Sequence, residues 1–230
     1  MKAMILAAGR GERLRPVTDR IPKPLIEAGG KPLIVWHLER LAAAGFGEVV
    51  INLSHLGSEI ERSLGDGRAW GLSLAYSKES EPLETAGGLA FARALLGEKP
   101  FLLVNGDVYC EVPFADLRAH RLEPALAHLV LVPNPSFRAG GDFSLSAGRV
   151  GNGPAPRYTY AGVAVLSAQL LDGVQPGTRA ALAPILRAAA DAECVSGELY
   201  HGLWADVGTA GRLALLDAQL RERGSRNEHE

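Results

Sequence analysis

Three features of the 230-residue sequence predict an α/β fold with a mostly parallel, mixed central sheet covered by helices on both faces. Short, continuously apolar runs alternate with segments of helical periodicity, the pattern of strand–helix–strand units whose strands are buried on both faces. The run Gly9-Arg10-Gly11-Glu12-Arg13 follows the first apolar stretch directly, and open α/β sheets bind ligands beyond the carboxyl ends of their strands. After Asp107 the regular alternation loosens, so the second half reads as mixed rather than parallel.

Taken in order, Lys2 to Ala7 reads as a buried strand and Leu33 to Ala44 as a helix with Leu33, Trp36, His37 and Leu41 on one face. Glu48 to Leu53 is a second strand, and Ser54 is placed to cap a helix ending near Leu64. Leu72 to Tyr76 is a third strand, Thr85 begins a helix to about Leu96, and Phe101 to Asn105 is apolar until it meets Asn105-Gly106-Asp107. A helix near Phe114 to Arg121 then leads to a strand at Leu126 to Val132 and a Gly- and Pro-rich stretch from Pro133 to Pro156. Tyr158 to Leu166 is a strand, Arg179 to Ala192 a helix, Val195 to Leu199 a short strand and Thr209 to Glu222 an amphipathic helix. Its Leu213, Leu216 and Leu220 form one stripe, which predicts docking on its own core. Residues 224–230 are polar and read as a disordered tail. The absence of a hexapeptide repeat argues against a fused left-handed β-helix.

Composition narrows the function. A chain of this length that is 47% hydrophobic supports one sizeable core. A formal net charge of -2 supplies no long-range attraction to nucleic acid or anionic membrane, so a phosphate site has to be built locally from a few cations. Cys110 and Cys194 lack Cys-x-x-Cys spacing, which argues against a disulfide framework or a structural zinc. No signal-peptide pattern opens the chain and no run approaches the ~18 apolar residues of a membrane span, so a cytoplasmic location is expected. The six histidines form no His-x-x-x-His or His-Glu-x-x-His pair and no Gly-x-Ser-x-Gly elbow occurs, which disfavours zinc and serine hydrolases.

The stretch from Leu6 to Thr18, closed by Ile21-Pro22-Lys23-Pro24-Leu25, gathers glycines, arginines and a lysine behind an apolar strand, where backbone amides and cations converge on a polyphosphate. It is not a dinucleotide fingerprint, because the third glycine position holds Leu14. Nor is it a Walker loop, because Gly30-Lys31 runs into Pro32 rather than Ser or Thr. Two aspartates stand out elsewhere: Asp107 ends an apolar strand, and Asp206 sits in Trp204-Ala205-Asp206-Val207-Gly208-Thr209 ahead of the last helix. A triphosphate needs a hard divalent cation, and Mg²⁺ is held by one or two carboxylates with phosphates and waters completing its shell.

These motifs together resemble the sugar-1-phosphate nucleotidylyltransferases, the pyrophosphorylases that join a nucleoside triphosphate to a sugar phosphate and release pyrophosphate. The resemblance covers nearly the whole chain and implies a Rossmann-like nucleotidyltransferase fold of the GT-A type. It implies one domain over residues 1–223, with a nucleotide-binding half at 1–110 and a mixed sugar-binding half at 111–223. It assigns Arg13 to the pyrophosphate, Lys23 to the phosphates, and Asp107 and Asp206 to Mg²⁺, which makes Arg13, Lys23 and Asp107 the catalytic set. Ala8, Gly9, Gly11 and Glu12 would wrap the nucleotide, with Glu79 toward the base and Thr85 toward the ribose or sugar. Asn105, Asp142 and the backbone at Gly162 are its candidates for the sugar. One departure concerns the Glu-Lys-Pro segment that grips the sugar phosphate in many relatives: residues 148–157 contain none, and Arg157 is the cation at hand.

The chemistry so implied is in-line attack by a sugar-phosphate oxygen on the α-phosphorus. The attacking phosphate has a second pKa of about 6 and is largely ionised at neutral pH, so no general base is needed. Catalysis reduces to alignment and charge neutralisation. The implied partners are a nucleoside triphosphate and a sugar 1-phosphate, without nucleic acid or membrane, for a monomer or small homo-oligomer. A non-catalytic nucleotide-sugar-binding subunit is the rival class; it has no need of Arg13, Lys23, Asp107 and Asp206 together.

Overall fold

Strand β1 (Ala3–Leu6) sets the layout, because Ala3 and Ile5 face one apolar layer and Met4 the other, with no surface exposed by any of them. A strand covered on both faces is the parallel-sheet arrangement that its uninterrupted apolar run predicts. The computed structural model describes residues 1–154 and 156–227. After β1 come β2 (Glu27–Ala28), β3 (Lys31–Pro32), α1 (Leu33–Ala43), β4 (Glu48–Leu53), α2 (Gly57–Leu64) and β5 (Ser73–Lys78). Next are α3 (Glu84–Phe91), α4 (Arg93–Leu96), β6 (Phe101–Asn105), β7 (Val108–Cys110), α5 (Phe114–Ala119) and β8 (Ala127–Val132). The remainder is β9 (Phe143–Ser146), β10 (Arg149–Gly151), β11 (Arg157–Leu166), α6 (Leu182–Asp191), β12 (Val195–Leu199), β13 (Trp204–Asp206) and α7 (Ala210–Asn227).

Nine strands form one sheet in the order β5-β4-β1-β6-β11-β8-β12-β10-β9. β5, β4, β1 and β6 run parallel, β11 is antiparallel to β6 and β8, and β12 is parallel to β8. β9 pairs with β11 as well as β10, so the far side of the sheet curls back on itself. Ile34 and Leu38 of α1, Ile60 of α2 and Phe114 of α5 cover one face. Leu89 of α3, Leu96 of α4 and Leu186 of α6 cover the other. The chain leaves β1 toward β4 and β5, then returns to β6 on β1's opposite side. This reversal opens a crevice at the carboxyl ends of β1 and β6, where the phosphate-loop candidate and Asp107 lie.

Several boundaries differ from those predicted. Ser54 is not a side-chain cap: its carbonyl accepts the Gly57 N–H at 3.2 Å, and Leu56 turns the chain in a left-handed conformation at φ 53°. The helix predicted over 85–96 is two helices, broken where the Leu95 and Leu96 N–H groups both reach the Ala92 carbonyl at 2.9 and 3.0 Å. α6 starts at Leu182 rather than Arg179, because Ala180 is engaged by the start of α3, accepting from Gly87 and donating to Leu83 at 3.0 Å each. The predicted tail is corrected as well, since α7 continues through Gly224 to Asn227. An Arg223–Glu111 pair at 2.9 Å ties the end of α7 to the body, and an Arg221–Asp217 pair at 2.8 Å lies along the helix itself; residues 228–230 lie outside the described residues. α7 docks on its own chain through Leu216 and Leu220, which pack with Ala28, Leu33, Tyr109 and Val207. No helix is long and apolar enough to cross a membrane among the described residues.

Candidate active site

The loop after β1 is held by a glycine that nothing else replaces. Gly11 sits at φ +63°, and a Cβ there would lie 2.8 Å from Thr18 Cγ2. Buried Thr18 donates its hydroxyl to the Gly11 carbonyl at 2.9 Å, and Leu14 anchors the short turn Glu12–Leu14 in the interior. Gly9 differs: no atom lies within 4 Å of where its Cβ would stand, so its bare backbone borders open space.

That space is a cleft of about 1160 Å³. Residues 6–14, Lys23, residues 79–85 and Asn105-Gly106-Asp107 line it, joined by Gly177, Arg179 and Gly208 from the second half. A recess of about 200 Å³ shares Arg13, Asn105 and Asp107 with the cleft and adds Phe137, Tyr160, Gly162 and Asp206. Ala8, Gly9, Gly11, Glu12, Arg13, Lys23, Glu79 and Thr85 all border the cleft, so eight residues distant in sequence share one wall system.

The two aspartates are brought together by a small antiparallel ribbon. β13 pairs with β7 so that Asp206 stands opposite Val108, and the Asp107 carbonyl accepts the Val207 N–H at 2.9 Å. Trp204 ties β13 to the sheet by donating its indole N–H to the Ala161 carbonyl at 2.8 Å. Gly106 lets β6 end against β1, since a Cβ there would lie 2.5 Å from the Leu6 carbonyl oxygen. Both carboxylates already face cations: Lys23 Nζ is 2.7 Å from Asp107 Oδ2, and Arg212 Nη1 is 3.0 Å from Asp206 Oδ2. Beneath them, buried His37 reaches the Val108 carbonyl through Nε2 at 2.7 Å, which places its proton on that nitrogen. Burial lowers its pKa to about 4, so the ring is neutral at physiological pH.

The donor set fits a hard divalent cation. Two aspartates meet at the recess, and no cluster of three His, Cys, Asp or Glu residues suited to a metal occurs among the described residues. An all-oxygen site with only two carboxylates suits an ion that keeps phosphate and water in its shell.

A buried relay joins the phosphate loop to the opposite wall. Asn52 accepts the Ala7 N–H at 2.8 Å and donates to Glu79 Oε1 at 2.7 Å, while Glu79 Oε2 accepts the Leu83 N–H at 2.9 Å. Glu79 thus reaches the cleft with both oxygens already engaged. Asn105 packs into a bulge of β11, where Gly162 at φ +75° leaves room: a Cβ there would lie 2.7 Å from Asn105 Nδ2. Asp142 borders neither the cleft nor the recess. Its Oδ2 accepts the Tyr160 N–H at 2.9 Å and pairs with Arg138 at 2.9 Å, so it shapes the wall from behind. Arg157 is likewise withdrawn, its guanidinium donating to the carbonyls of Gly140, Asp142, Asn152 and Gly153. Sequence reasoning missed Asn52, Thr18, Phe137 and Arg212. Only Asn52 left a signal, as a polar residue inside the apolar strand Val49-Val50-Ile51-Asn52-Leu53.

Residues 2–136 match the family model described as nucleotidyl transferase. The chain is 52% identical over 220 residues to the N-acetylmuramate alpha-1-phosphate uridylyltransferase of Neisseria meningitidis serogroup B, covering 93% of this chain and 95% of that one. It is 33% identical to the mannose-1-phosphate guanylyltransferase catalytic subunit beta of Danio rerio, over 90% of this chain and 61% of the relative. Among solved structures it resembles one assigned as a glucose-1-phosphate thymidylyltransferase from Bacillus anthracis, with a TM-score of 0.86 at 20% identity and 96% coverage of both chains. It also resembles the inositol-1-phosphate CTP transferase of T. maritima, with a TM-score of 0.77 at 19% identity and the same coverage. At such identities the likeness speaks to the fold alone.

Proposed function

The chain belongs to the nucleotidyl transferase family as a sugar-1-phosphate nucleotidylyltransferase, and from that premise we propose that it joins UTP to N-acetylmuramate 1-phosphate in the cytoplasm. The products are UDP-N-acetylmuramate and pyrophosphate, and the setting is peptidoglycan recycling. The observation that carries base and sugar is the 52% identity to the Neisseria uridylyltransferase, sustained over 93% of this chain and 95% of that one.

The residues fit this reaction at each point. An oxygen of the sugar phosphate attacks the α-phosphorus, the bond from that phosphorus to the β-phosphate oxygen breaks, and pyrophosphate leaves with the bonding pair. Arg13, which has no ion pair among the described residues, faces both cleft and recess and serves the charge gathering on the leaving group. Lys23 is positioned by its buried stem to contact phosphate beside Asp107. Backbone at Gly9 and Gly11 accommodates the triphosphate, Thr85 borders the ribose side, and Asn105 with Gly162 borders the sugar. Mg²⁺ is the ion proposed for Asp107 and Asp206, where it would neutralise phosphate charge and fix the alignment of the reacting groups.

Pyrophosphate release from four nucleoside triphosphates against a set of sugar 1-phosphates tests the reading. UTP with N-acetylmuramate 1-phosphate is expected to give the highest kcat/KM, and Asp107→Asn or Asp206→Asn to lower kcat by about 100-fold or more. Preferred guanylyl transfer to mannose 1-phosphate would replace the assignment with the second relative's activity. UTP binding without any pyrophosphate release would identify a non-catalytic subunit instead.

A further inference from the structure

We infer that Arg212 anchors the phosphate of the sugar 1-phosphate, a role that rests on the proposed reading of this site as one for such a substrate. Arg212 projects from the first turn of α7, largely buried, with Nη1 on Asp206 Oδ2 at 3.0 Å. Its guanidinium also lies 4.1 Å from the centre of the Phe137 ring. These contacts fix the plane of the group and leave Nη2 and Nε with no protein acceptor among the described residues. Nη2 occupies the space that Gly208 leaves by having no side chain: a Cβ there would collide with Arg212 Nη2 and lie 3.0 Å from Arg13 Nη2.

Two guanidinium groups therefore converge at Gly208. Gly208 lines the cleft, and Asp206 and Phe137, which hold Arg212, line the recess; Arg212, with 18% of its side chain exposed, stands directly behind the wall they share and lines neither space itself. Like charges in one place favour an anion between them, and a planar fork suits phosphate oxygens. The anion at the meeting of the two spaces is the attacking phosphate, which must approach the α-phosphate against its own repulsion. Other arginines of the second half are engaged elsewhere: Arg138 with Asp142, Arg179 with Glu84, and Arg157 and Arg187 with carbonyls that include Asp142's.

Arg212→Met keeps length while removing the charge, and Arg212→Lys keeps the charge without the fork. Loss of a charged hydrogen bond predicts a rise of about 10- to 100-fold in KM for the sugar 1-phosphate, with KM for UTP changed less than about twofold. Lys is expected to recover part of the loss. Mn²⁺ titration of each protein, followed by electron paramagnetic resonance, is expected to show metal affinity no weaker than in the wild type. An unchanged KM for the sugar phosphate overturns the inference. So does weakened Mn²⁺ binding with equal rises in both KM values, which would assign Arg212 to holding Asp206. Should the Met variant fail to fold, the Lys variant reads the same pair of KM values. Measurements use whichever sugar 1-phosphate the wild type turns over: a different preferred sugar defeats the proposed substrate while leaving the anchor testable, and no turnover of any defeats both.

Discussion

Gly9 and Gly11 stand two positions apart and answer to different demands. Gly11 is required by the fold, through its φ of +63° and the Thr18 side chain against it, whereas Gly9 has open space where a methyl would go. Gly11→Ala is accordingly expected to lower stability by about 1–3 kcal/mol in urea denaturation. Gly9→Ala should leave stability within about 0.5 kcal/mol yet raise KM for the triphosphate, because the methyl enters the cleft. Equal stability losses in the two variants would show that Gly9 is structural. The residues of the site were legible to different degrees for related reasons. Arg13, Lys23, Asp107 and Asp206 sit in runs whose composition points to phosphate, and the fold brings all four to the cleft or its recess. Arg212 carries no motif, and Thr18 only ends the phosphate-loop stretch, because what each does depends on partners outside its own run or on a backbone group: Asp206 and Phe137 for Arg212, the Gly11 carbonyl for Thr18. Asp142 is the converse case, a carboxylate in a suggestive loop whose Oδ2 the backbone N–H of Tyr160 and the Arg138 guanidinium engage.

Elements of five or more residues, together with the wholly apolar four-residue β1, could be read from their hydrophobic pattern, whereas most shorter ones could not. β2 and β3, β7 and β13, and β9 and β10 are too short for alternation to register, although Gly29-Gly30 at φ +64° and +74° is the kind of turn that closes a two-residue hairpin. The cost of missing β13 was specific, since its pairing with β7 is what carries Asp206 to Asp107. α7 completes that ribbon by packing Leu216, 1% exposed, against Tyr109 and Val207, while Leu215 beside it is 69% exposed. Leu216→Ala is expected to cost about 2–4 kcal/mol and Leu215→Ala less than about 0.5 kcal/mol, as measured by denaturant unfolding. Similar costs for both would mean that the helix docks through another face. Because Arg212 lies one turn before Leu216, the first variant also loosens the tether on Asp206.

The molecule as a whole carries a proton-linked liability beneath its site. His37 is buried and neutral, with its pKa lowered from 6.5 to about 4 by burial. Below pH 6.5 the unfolded chain takes up a proton that the native ring refuses, so stability falls as pH drops toward 4 and is unaffected by this group above 6.5. The loss amounts to about 3 kcal/mol when complete. Urea unfolding at pH 7 and pH 4.5 is expected to show a smaller pH dependence for His37→Gln than for the wild type, and equal slopes would remove His37 as the cause. The doubled pairing of β9 has a different kind of consequence, concerning neighbours. At that end of the sheet β9 is paired on both sides, with β10 and β11, whereas among the described residues β5 is paired on one side only, with β4, and forms the open edge of the other end. β5 ends in Lys78, ion-paired with Glu61 at 2.7 Å, and an edge lysine obstructs strand addition by an approaching chain. Edge-to-edge growth from β5 is thereby guarded, on the opposite flank of the sheet from the doubly paired β9.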